Sequence, residues 1–178
     1  MSAEIHPPRE CVETAFCLGS NLGHRAALLR QAKTRILMQP QTRLAAQAPL
    51  YETVPVDVKT EYEELRFLNT VLVVTSSLTA EEWLARVKRI EAALGRVRSD
   101  DRNAPRTIDI DILYSGGRLI DSDLLQIPHT RWTQRRFVVQ PLADVRPEKT
   151  LPGCTQTVRA LLASFPDCGD VRLFAETW

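Results

Sequence analysis

The spacing of apolar residues changes several times along this chain, and each change marks the boundary of a predicted element. Spacings of three and four residues predict two long helices, at 25–39 and 79–94, and a short one at 155–162. Compact or alternating apolar runs predict strands at 12–18, 44–51, 67–76, 108–113 and 171–174. The main elements therefore follow the order strand, helix, strand, strand, helix, strand, with further elements behind them.

Residues at the boundaries support these elements. Thr79 and Glu82 stand in a capping-box sequence, which is typical of a helix start. Pro49 interrupts the second strand and places it near a sheet edge. The Gly-Ser-Asn-Leu-Gly segment at 19–23 predicts a strand-to-helix turn rather than a Walker loop, since no Gly-Lys-Ser/Thr follows. Segment 52–65 has no apolar pattern, so we expect a lid or specificity loop there.

The order of elements indicates an α+β fold with a ferredoxin-like βαββαβ core and extra C-terminal elements. The sheet of that core is antiparallel. We expect its helices to lie mainly on one face and to leave the other face open for ligands. Residues 12–178 are predicted to form a single domain, preceded by a loose extension at 1–11 that has two prolines and no apolar run.

Composition then limits the function. The 178 residues are 44% hydrophobic and 25% charged, as in ordinary soluble domains. A net charge of +1 argues against a general nucleic-acid or membrane binder. The four cysteines form no Cys-x-x-Cys pair, which argues against a cysteine-based metal site. We therefore expect reduced cysteines in a cytoplasmic protein. The N-terminal residues predict neither a signal peptide nor a membrane span, and we expect a monomer.

Two aspartates interrupt the apolar pattern of the strand at 108–113. Asp109 and Asp111 alternate with three isoleucines, so both carboxylates share one face of the strand, roughly 7 Å apart. Strands disfavour Asp, and two like charges this close on a buried core strand need a cation or a proton between them. Mg²⁺ prefers one or two carboxylates together with the oxygens of a substrate phosphate. The pair therefore indicates a magnesium–phosphate site.

The segment upstream of this strand is basic, with Arg96, Arg98, Arg102 and Arg106. Guanidinium groups suit phosphate oxygens, so the basic segment and the aspartate strand together predict a nucleotide–magnesium site. Because the 96–106 segment is long and polar, we expect it to act as a mobile lid. The residues alone leave open a second interpretation, a solvated surface loop beside the wet side of a strand.

Three further polar residues each allow two interpretations. Asn69 lies within an apolar strand and needs hydrogen-bond partners, which a neighbouring loop or a ligand would supply. Glu91 lies in the last turn of a helix, where an acid opposes the helix dipole, so it needs a basic partner or a ligand. His129 lies beside a second group of arginines, where a local hydrogen bond or a phosphate contact would account for it.

Several segments together resemble the 6-hydroxymethyl-7,8-dihydropterin pyrophosphokinase family of folate biosynthesis. The most specific is Pro-Arg-Thr-Ile-Asp-Ile-Asp-Ile-Leu at 105–113, with Gly-Arg-Val-Arg at 95–98 upstream. The others are Leu-Gly-Ser-Asn-Leu at 18–22, Phe-Leu-Asn at 67–69, Arg-Ile-Glu at 89–91, and Pro-His at 128–129 with Arg135 and Phe137. The resemblance runs from about residue 15 to residue 142. It implies a ferredoxin-like fold, two magnesium ions, and transfer of pyrophosphate from ATP to the pterin hydroxymethyl oxygen with release of AMP.

The resemblance implies roles for the phosphate-side residues. Asp109 and Asp111 would be the ligands of both magnesium ions. Arg96 and Arg106 would hold and steer the triphosphate, and with the two aspartates they form the expected catalytic set. The remaining residues expected to line the ATP site are Glu91, Arg98, His129 and Arg135.

The resemblance also implies a pterin site. Asn69 would bind the polar edge of the pterin, and Phe67 and Phe137 would stack on its two faces. Thr53 and Val56 would contact the pterin through their backbone. The resemblance implies no nucleic-acid partner and no membrane partner.

The chain departs from the family pattern at two places where an aromatic residue is common, since it has Asn103 in the basic segment and Thr130 after His129. Each missing ring would remove a stacking contact of about 1 kcal/mol, so we predict weaker ATP binding than in relatives. Two other functions stay open: a degenerate paralogue that binds pterin or nucleotide without turnover, and a single-stranded RNA-binding module. The second would need more aromatic residues than the 6% present.

Overall fold

The computed structural model describes residues 9–97, 101, 103–166 and 169–178. Arg98, Arg102, Cys168 and most of the predicted extension at 1–11 therefore lie outside the described residues. The strands are β1 (Val12–Ser20), β2 (Thr42–Gln47), β3 (Leu50–Thr53), β4 (Phe67–Ser76), β5 (Asp109–Ser115), β6 (Ile120–Asp121), β7 (Gln126–Ile127) and β8 (Val171–Ala175). The α-helices are α1 (Arg25–Leu37), α2 (Ala80–Ala93), α3 (Arg136–Val145) and α4 (Val158–Ala163), and short 3₁₀ turns occur at Thr60–Tyr62 and Trp132–Gln134.

The main sheet is antiparallel throughout, with the strand order β5-β1-β4-β3-β8, and β2 pairs with β4 next to β3. β6 and β7 form a separate two-stranded ribbon. The order β5, β1, β4 and then β2 with β3 is that of the split βαβ plan. The predicted α+β fold with a ferredoxin-like core is confirmed.

The predicted strand at 44–51 is in fact two strands, β2 and β3, separated by Ala48 and Pro49. A proline cannot donate to a sheet ladder, so pairing is interrupted there. The predicted edge position is right for β2, which pairs only with β4 among the described strands. β3 is not itself the last strand, because β8 pairs along its other side, but it lies next to that strand and so near the edge as predicted.

The strand that carries the two aspartates is an edge strand, which corrects its description as a core strand. β5 pairs with β1 on one side, and the segment after β7 covers part of its other side, where the His129 N–H donates to the Leu113 carbonyl at 3.0 Å. Side chains on both faces of β5 are nevertheless buried, including Ile110, Ile112 and Tyr114. The apolar pattern reports this burial and not the position of the strand in the hydrogen-bond order.

The first face of the sheet packs against α1 and α2. α1 buries Leu29, Ala32 and Ile36, as predicted from their spacing. α2 begins with the predicted capping box, in which the Glu82 N–H donates to Thr79 Oγ1 at 3.2 Å and the Thr79 N–H donates to Glu82 Oε2 at 2.7 Å. The Phe16 and Trp83 rings meet edge to face at 4.8 Å and join β1 to α2 in this core.

The second face of the sheet is partly covered, contrary to the expectation that it would be open. α3 and α4 pack over it through Val138, Val139, Leu142 and Val158, against strand residues such as Val71 and Val73. Their cover stops short of the ends of β1, β4 and β5 where Gly19, Asn69 and Asp109 lie, and a cavity occupies that part of the face. No helix in the described part of the chain is long and apolar enough to cross a membrane.

Candidate active site

A cavity of about 370 Å³ lies over this end of the sheet, a volume typical of small-molecule sites. Its floor comes from β1, β4 and β5, and its walls come from the loop after β3, the segment at 103–106 and the segment at 129–137. Most of the residues expected from the sequence line it: Thr53, Val56, Phe67, Asn69, Arg96, Arg106, Asp109, Asp111, His129, Arg135 and Phe137. Glu91 does not line it, and Arg98 lies outside the described residues.

Asp109 and Asp111 lie on the same side of β5 and both face the cavity, as the alternation predicted. Asp109 accepts hydrogen bonds from two arginines, from Arg96 at Oδ1 and from Arg106 Nη1 at Oδ2 over 2.8 Å. The Asp111 carboxylate has a looser neighbour, with Oδ2 lying 3.7 Å from His129 Nε2. The two carboxylates therefore have unequal surroundings.

The surroundings of Asp111 change its pKa. Loss of water around Asp111, together with the negative charge of Asp109, raises the pKa of Asp111, and Arg135 only partly offsets these effects. A carboxylate with a raised pKa gains from any cation brought beside it. A cation beside Asp111 would therefore favour its charged form.

Glu91 has a supporting position below the cavity. It is 4% exposed, forms an ion pair with Arg96, and its Oε1 accepts the Ile110 N–H at 2.9 Å. Burial raises the pKa of Glu91, and the Arg96 charge opposes that rise. The predicted basic partner is confirmed as Arg96, and Glu91 fixes this arginine and β5 to the end of α2.

The donor set fits Mg²⁺. No group of three or more His, Cys, Asp and Glu side chains suited to a metal occurs among the described residues. Mg²⁺ needs only one or two carboxylates when phosphate oxygens and water complete its shell. Asp109 and Asp111 supply two such carboxylates, side by side on the wall of one cavity.

A second group of residues faces the same cavity across β4. Asn69 is 4% exposed, and its Nδ2 donates to Thr53 Oγ1 at 2.7 Å. This bond fixes the plane of the carboxamide. Phe67 and Phe137 lie on the wall nearby, and the Arg135 guanidinium lies 5.5 Å from the centre of the Phe137 ring. An oriented amide and two aromatic rings that line one cavity suit a flat, polar heterocycle.

Gly19 determines where the Asn69 amide can lie. The two residues are directly paired across β1 and β4, and a Cβ added at Gly19 would lie 2.7 Å from Asn69 Oδ1. Contacts that close do not occur for real Cβ atoms, so a side chain at position 19 would displace the amide. The sequence motif at 19–23 therefore acts here through close approach, and only its later residues form the predicted strand-to-helix turn.

Two loops meet at the cavity mouth. Asn103 Nδ2 donates to the Asp57 carbonyl oxygen at 2.6 Å, and Lys59 Nζ lies 2.8 Å from Asp101 Oδ2. These contacts join the loop after β3 to the segment before β5. Val56 lies in the first of these loops and is 57% exposed. The irregular segment predicted at 52–65 thus forms one wall of the cavity, and it contains the end of β3 and a 3₁₀ turn.

A second cavity of about 230 Å³ adjoins the first. Asp111, His129 and Arg131 line both cavities, so the two spaces share a wall. Its other lining residues are the polar Gln126 and Thr130 and the apolar Leu84, Ile110, Ile112, Leu124 and Leu125.

His129 stands at this shared wall in its neutral form. Burial and the charges of Arg135 and Arg131 lower its pKa to about 4. Its Nδ1 accepts the Arg131 N–H at 3.2 Å, so the ring proton is on Nε2, which points toward Asp111. His129 can therefore donate one hydrogen bond to an anionic oxygen without adding a charge.

The sequence profile of the family described as 7,8-dihydro-6-hydroxymethylpterin-pyrophosphokinase (HPPK) matches residues 15–147. The chain belongs to this family. The match contains the whole of β1 to β5 except the start of β1, together with both groups of residues that face the first cavity.

Individual relatives agree with the HPPK family. A 2-amino-4-hydroxy-6-hydroxymethyldihydropteridine pyrophosphokinase of Pseudomonas aeruginosa is 38% identical over 156 residues, 88% of this chain and 93% of the relative. One of Methylorubrum extorquens is 36% identical over 88% of this chain and 95% of the relative. A mitochondrial folate synthesis bifunctional protein of Pisum sativum is 38% identical over 81% of this chain, and the matched part is 27% of that longer protein.

Solved structures resemble the fold. The HPPK-DHPS of Plasmodium falciparum, crystallised with pterin and p-hydroxybenzoate, superposes with a TM-score of 0.69 over 89% of this chain and 42% of the other. The sequences are 18% identical, so this likeness supports the HPPK fold and nothing further.

Three features of this HPPK-family cavity were not predicted from the sequence. The second cavity depends on a turn that follows β6, far along the chain from α2. The role of Gly19 depends on a cross-strand neighbour. Arg131 was recognised only as one of several arginines near His129, and the only sequence signal for it was that local excess of charge.

Proposed function

We propose that this chain transfers pyrophosphate from ATP to the hydroxymethyl oxygen of 6-hydroxymethyl-7,8-dihydropterin and releases AMP. The observation that carries the proposal is the juxtaposition, in one cavity of an HPPK-family chain, of a hydrogen-bonded amide with two aromatic rings and of a carboxylate pair with arginines. The first group suits a pterin and the second suits a polyphosphate. The two substrates would therefore meet above β1, between Asn69 and Asp109.

On the pterin side, the Asn69 carboxamide would pair with the polar edge of the ring, since its Oδ1 is not used by the bond to Thr53. Phe67 and Phe137 would cover the faces of the ring. Thr53 would act mainly by orienting Asn69, and the loop with Val56 would close over the pterin from one side. A site built to hydrogen-bond a heterocycle also rejects ligands that lack those groups.

On the phosphate side, Asp109 and Asp111 would hold magnesium, with two ions as the expected number. When bound, the metal would neutralise phosphate oxygens and align them for transfer. Arg106 and Arg96 now pair with Asp109, and we propose that they exchange this partner for phosphate oxygens once nucleotide binds. His129 would donate from Nε2, and Arg135 would add charge between the Phe137 ring and Asp111.

We place the adenosine of ATP in the second cavity, because one group of its lining residues offers apolar contacts to a base and because Asp111 and His129 line both cavities. The apolar group is Leu84, Ile110, Ile112, Leu124 and Leu125. The triphosphate would then run past the residues that line both cavities, and its β-phosphorus would face the pterin oxygen. Catalysis in this arrangement depends on alignment of the two substrates and on fixed positive charge.

One assay tests the proposal against a chain that binds without turnover. ATP is incubated with the protein and Mg²⁺, and AMP is measured with and without 6-hydroxymethyl-7,8-dihydropterin. We expect AMP only when the pterin is present, in equal amount to the pyrophosphorylated pterin. Loss of AMP formation with EDTA and recovery with added Mg²⁺ would support the metal requirement. Binding of both substrates with no AMP would favour the degenerate paralogue.

A further inference from the structure

Arg131 lines the proposed active site but has no role in the function proposed above. Its side chain lines both cavities, a property it shares only with Asp111 and His129 among the described lining residues. It follows His129 by two residues and precedes the 3₁₀ turn at Trp132–Gln134, so the backbone that orients it is anchored by the buried Trp132.

The other arginines of the first cavity have partners of their own. Arg96 and Arg106 pair with Asp109, and Arg135 lies over the Phe137 ring. For the Arg131 guanidinium, the described part of the chain supplies neither an ion pair nor a hydrogen bond. Arg131 is exposed, and its positive charge contributes to the lowered pKa of both His129 and Arg135. Two guanidinium groups that act on each other, Arg131 and Arg135, favour an anion bound beside them.

Resting on the proposed function, we infer that Arg131 is a positioning residue for the α-phosphate of the nucleotide. In the proposed arrangement the adenosine lies in the second cavity and the transferred phosphates lie over the aspartates. The α-phosphate joins these two parts of ATP, so it would lie beside the residues that line both cavities. A guanidinium at that position would hold the group in the substrate.

The same contact would act on the leaving group. The pterin oxygen forms a bond to the β-phosphorus, and the bond from the bridging oxygen to the β-phosphorus breaks. AMP departs with that oxygen and its electron pair, while the hydroxyl proton passes to solvent. The α-phosphate gains negative charge in this step, so a fixed guanidinium beside it would stabilise the transition state as well as the bound substrate.

The test compares Arg131→Gln with Arg43→Gln, an exposed arginine on β2 that lines neither cavity. Dissociation constants for AMP and for a non-hydrolysable ATP analogue are measured with Mg²⁺, together with kcat and KM in the AMP-forming assay. Arg131→Gln should weaken both nucleotides by about tenfold, the size expected when one charge-assisted contact is lost. The KM for pterin should stay constant, and Arg43→Gln should behave as wild type.

The outcomes separate this inference from its alternatives. Equal weakening of AMP and of the ATP analogue supports it. Weakening of the ATP analogue alone would overturn it, because the contact would then be to the β- or γ-phosphate that AMP lacks. Full recovery in Arg131→Lys, with a loss in Arg131→Gln that disappears in high salt, would also overturn it in favour of long-range attraction. If wild-type protein forms no AMP, the proposed function fails, whereas nucleotide binding still tests Arg131.

Discussion

At the scale of single residues, the site depends on groups that hold other groups in place. Asn69 has its observed orientation because Thr53 accepts from its amide and because Gly19 leaves room for its oxygen. Asp109 is likewise held by two arginines, one of which is fixed in turn by Glu91. Such supporting contacts decide whether a side chain of the right type is also in the right place.

Gly19→Ala tests this dependence directly. The new Cβ would meet Asn69 Oδ1 at 2.7 Å, so the amide must turn away and its bond to Thr53 is lost. We expect pterin affinity to fall about tenfold, close to the effect of Asn69→Ala, with nucleotide affinity unchanged. Calorimetric titration with pterin measures the first affinity, and a separate titration with a non-hydrolysable ATP analogue measures the second. The double variant should lose little more than either single one, since both act on the same amide.

Gly117→Ala is the matched control for Gly19→Ala. A Cβ at Gly117 would meet nothing within 4 Å, and this glycine lies outside the cavity. It should therefore bind pterin normally. Normal pterin affinity in Gly19→Ala as well would show that Asn69 is not the group that binds the pterin edge.

The two aspartates should behave alike in catalysis and differently in stability. Asp109→Asn and Asp111→Asn should each lower AMP formation at least about 100-fold, because each removes a carboxylate from the proposed magnesium site. Asp111→Asn should raise the melting temperature, since it relieves repulsion by Asp109. Asp109→Asn should lower it by a few degrees, since Arg96 and Arg106 each lose a charged partner.

Activity assays and thermal denaturation of the same preparations check this pair of predictions, with Asp123→Asn as an exposed control outside both cavities. Near-normal turnover in either site variant would contradict the metal assignment. A rise in stability in both variants would contradict the unequal surroundings of the two carboxylates.

At the scale of elements, the loop after β3 contacts the segment before β5. Asn103 and Lys59 each reach across the cavity mouth to the opposite loop. Asn103 thus lines the first cavity, whereas Thr130 lines the second. The missing aromatic rings therefore belong to different cavities, and weaker ATP binding than in relatives stays a prediction that concerns Thr130 first.

Removing the contacts between the loops should affect one substrate more than the other. In Lys59→Ala combined with Asn103→Ala, the loops separate and pterin is held less long. We expect the KM for pterin to rise severalfold and nucleotide affinity to change by less than twofold, because exposed polar contacts contribute about 1 kcal/mol or less. Steady-state kinetics with each substrate varied in turn measures this. An equal loss for ATP would mean that the two loops enclose the nucleotide instead.

At the scale of the whole molecule, charge clusters hold the fold at the end of the sheet away from the cavity. Glu13 on β1 accepts from Tyr114 of β5 at 2.6 Å and pairs with Arg146, just after α3, at 2.7 Å. Lys149 lies 3.2 Å from the same carboxylate. This cluster ties the edge strand and the C-terminal helices to β1, so the rigid floor of the cavity depends partly on it.

Stability should depend on acidity through Glu13. Burial raises its pKa, but the hydrogen bonds from Arg146 and Tyr114 and the nearby charges outweigh this and lower it from 4.5 to about 2. A lowered folded-state pKa stabilises the fold above the unfolded value near 4.5, and this contribution is lost as the pH falls toward 2.

Glu13→Gln should therefore lower the free energy of unfolding at pH 7 by about 1–2 kcal/mol, allowing for partial solvent screening. The difference from wild type should shrink between pH 4.5 and 2. Urea denaturation at several pH values measures it, and Glu10→Gln provides an exposed control. A difference that stays constant over this range would mean that the substitution acts through packing rather than charge.

The sequence by itself determined the elements and most of the chemistry of this protein. Periods of two and of three to four residues follow from backbone geometry, so β4, the buried stripe of α1 and the capping box of α2 could be located without tertiary contacts. Asp109 and Asp111 had to share a face for the same reason. The resemblance of the motifs then indicated which residues to expect at the proposed pterin site, and no period would have indicated them.

Only the tertiary structure decided where those elements lie and what the residues contact. The pattern of β5 records that its faces are buried, but the position of a strand in a sheet depends on hydrogen-bond partners that lie 90 or more residues away (Cys17 beside Asp111). The same holds for three other features. These are the packing of α3 and α4 on the sheet, the close approach of Gly19 to Asn69, and the position of Arg131 beside both cavities. Each depends on distances between segments remote in sequence, and the order of residues along a chain does not contain those distances.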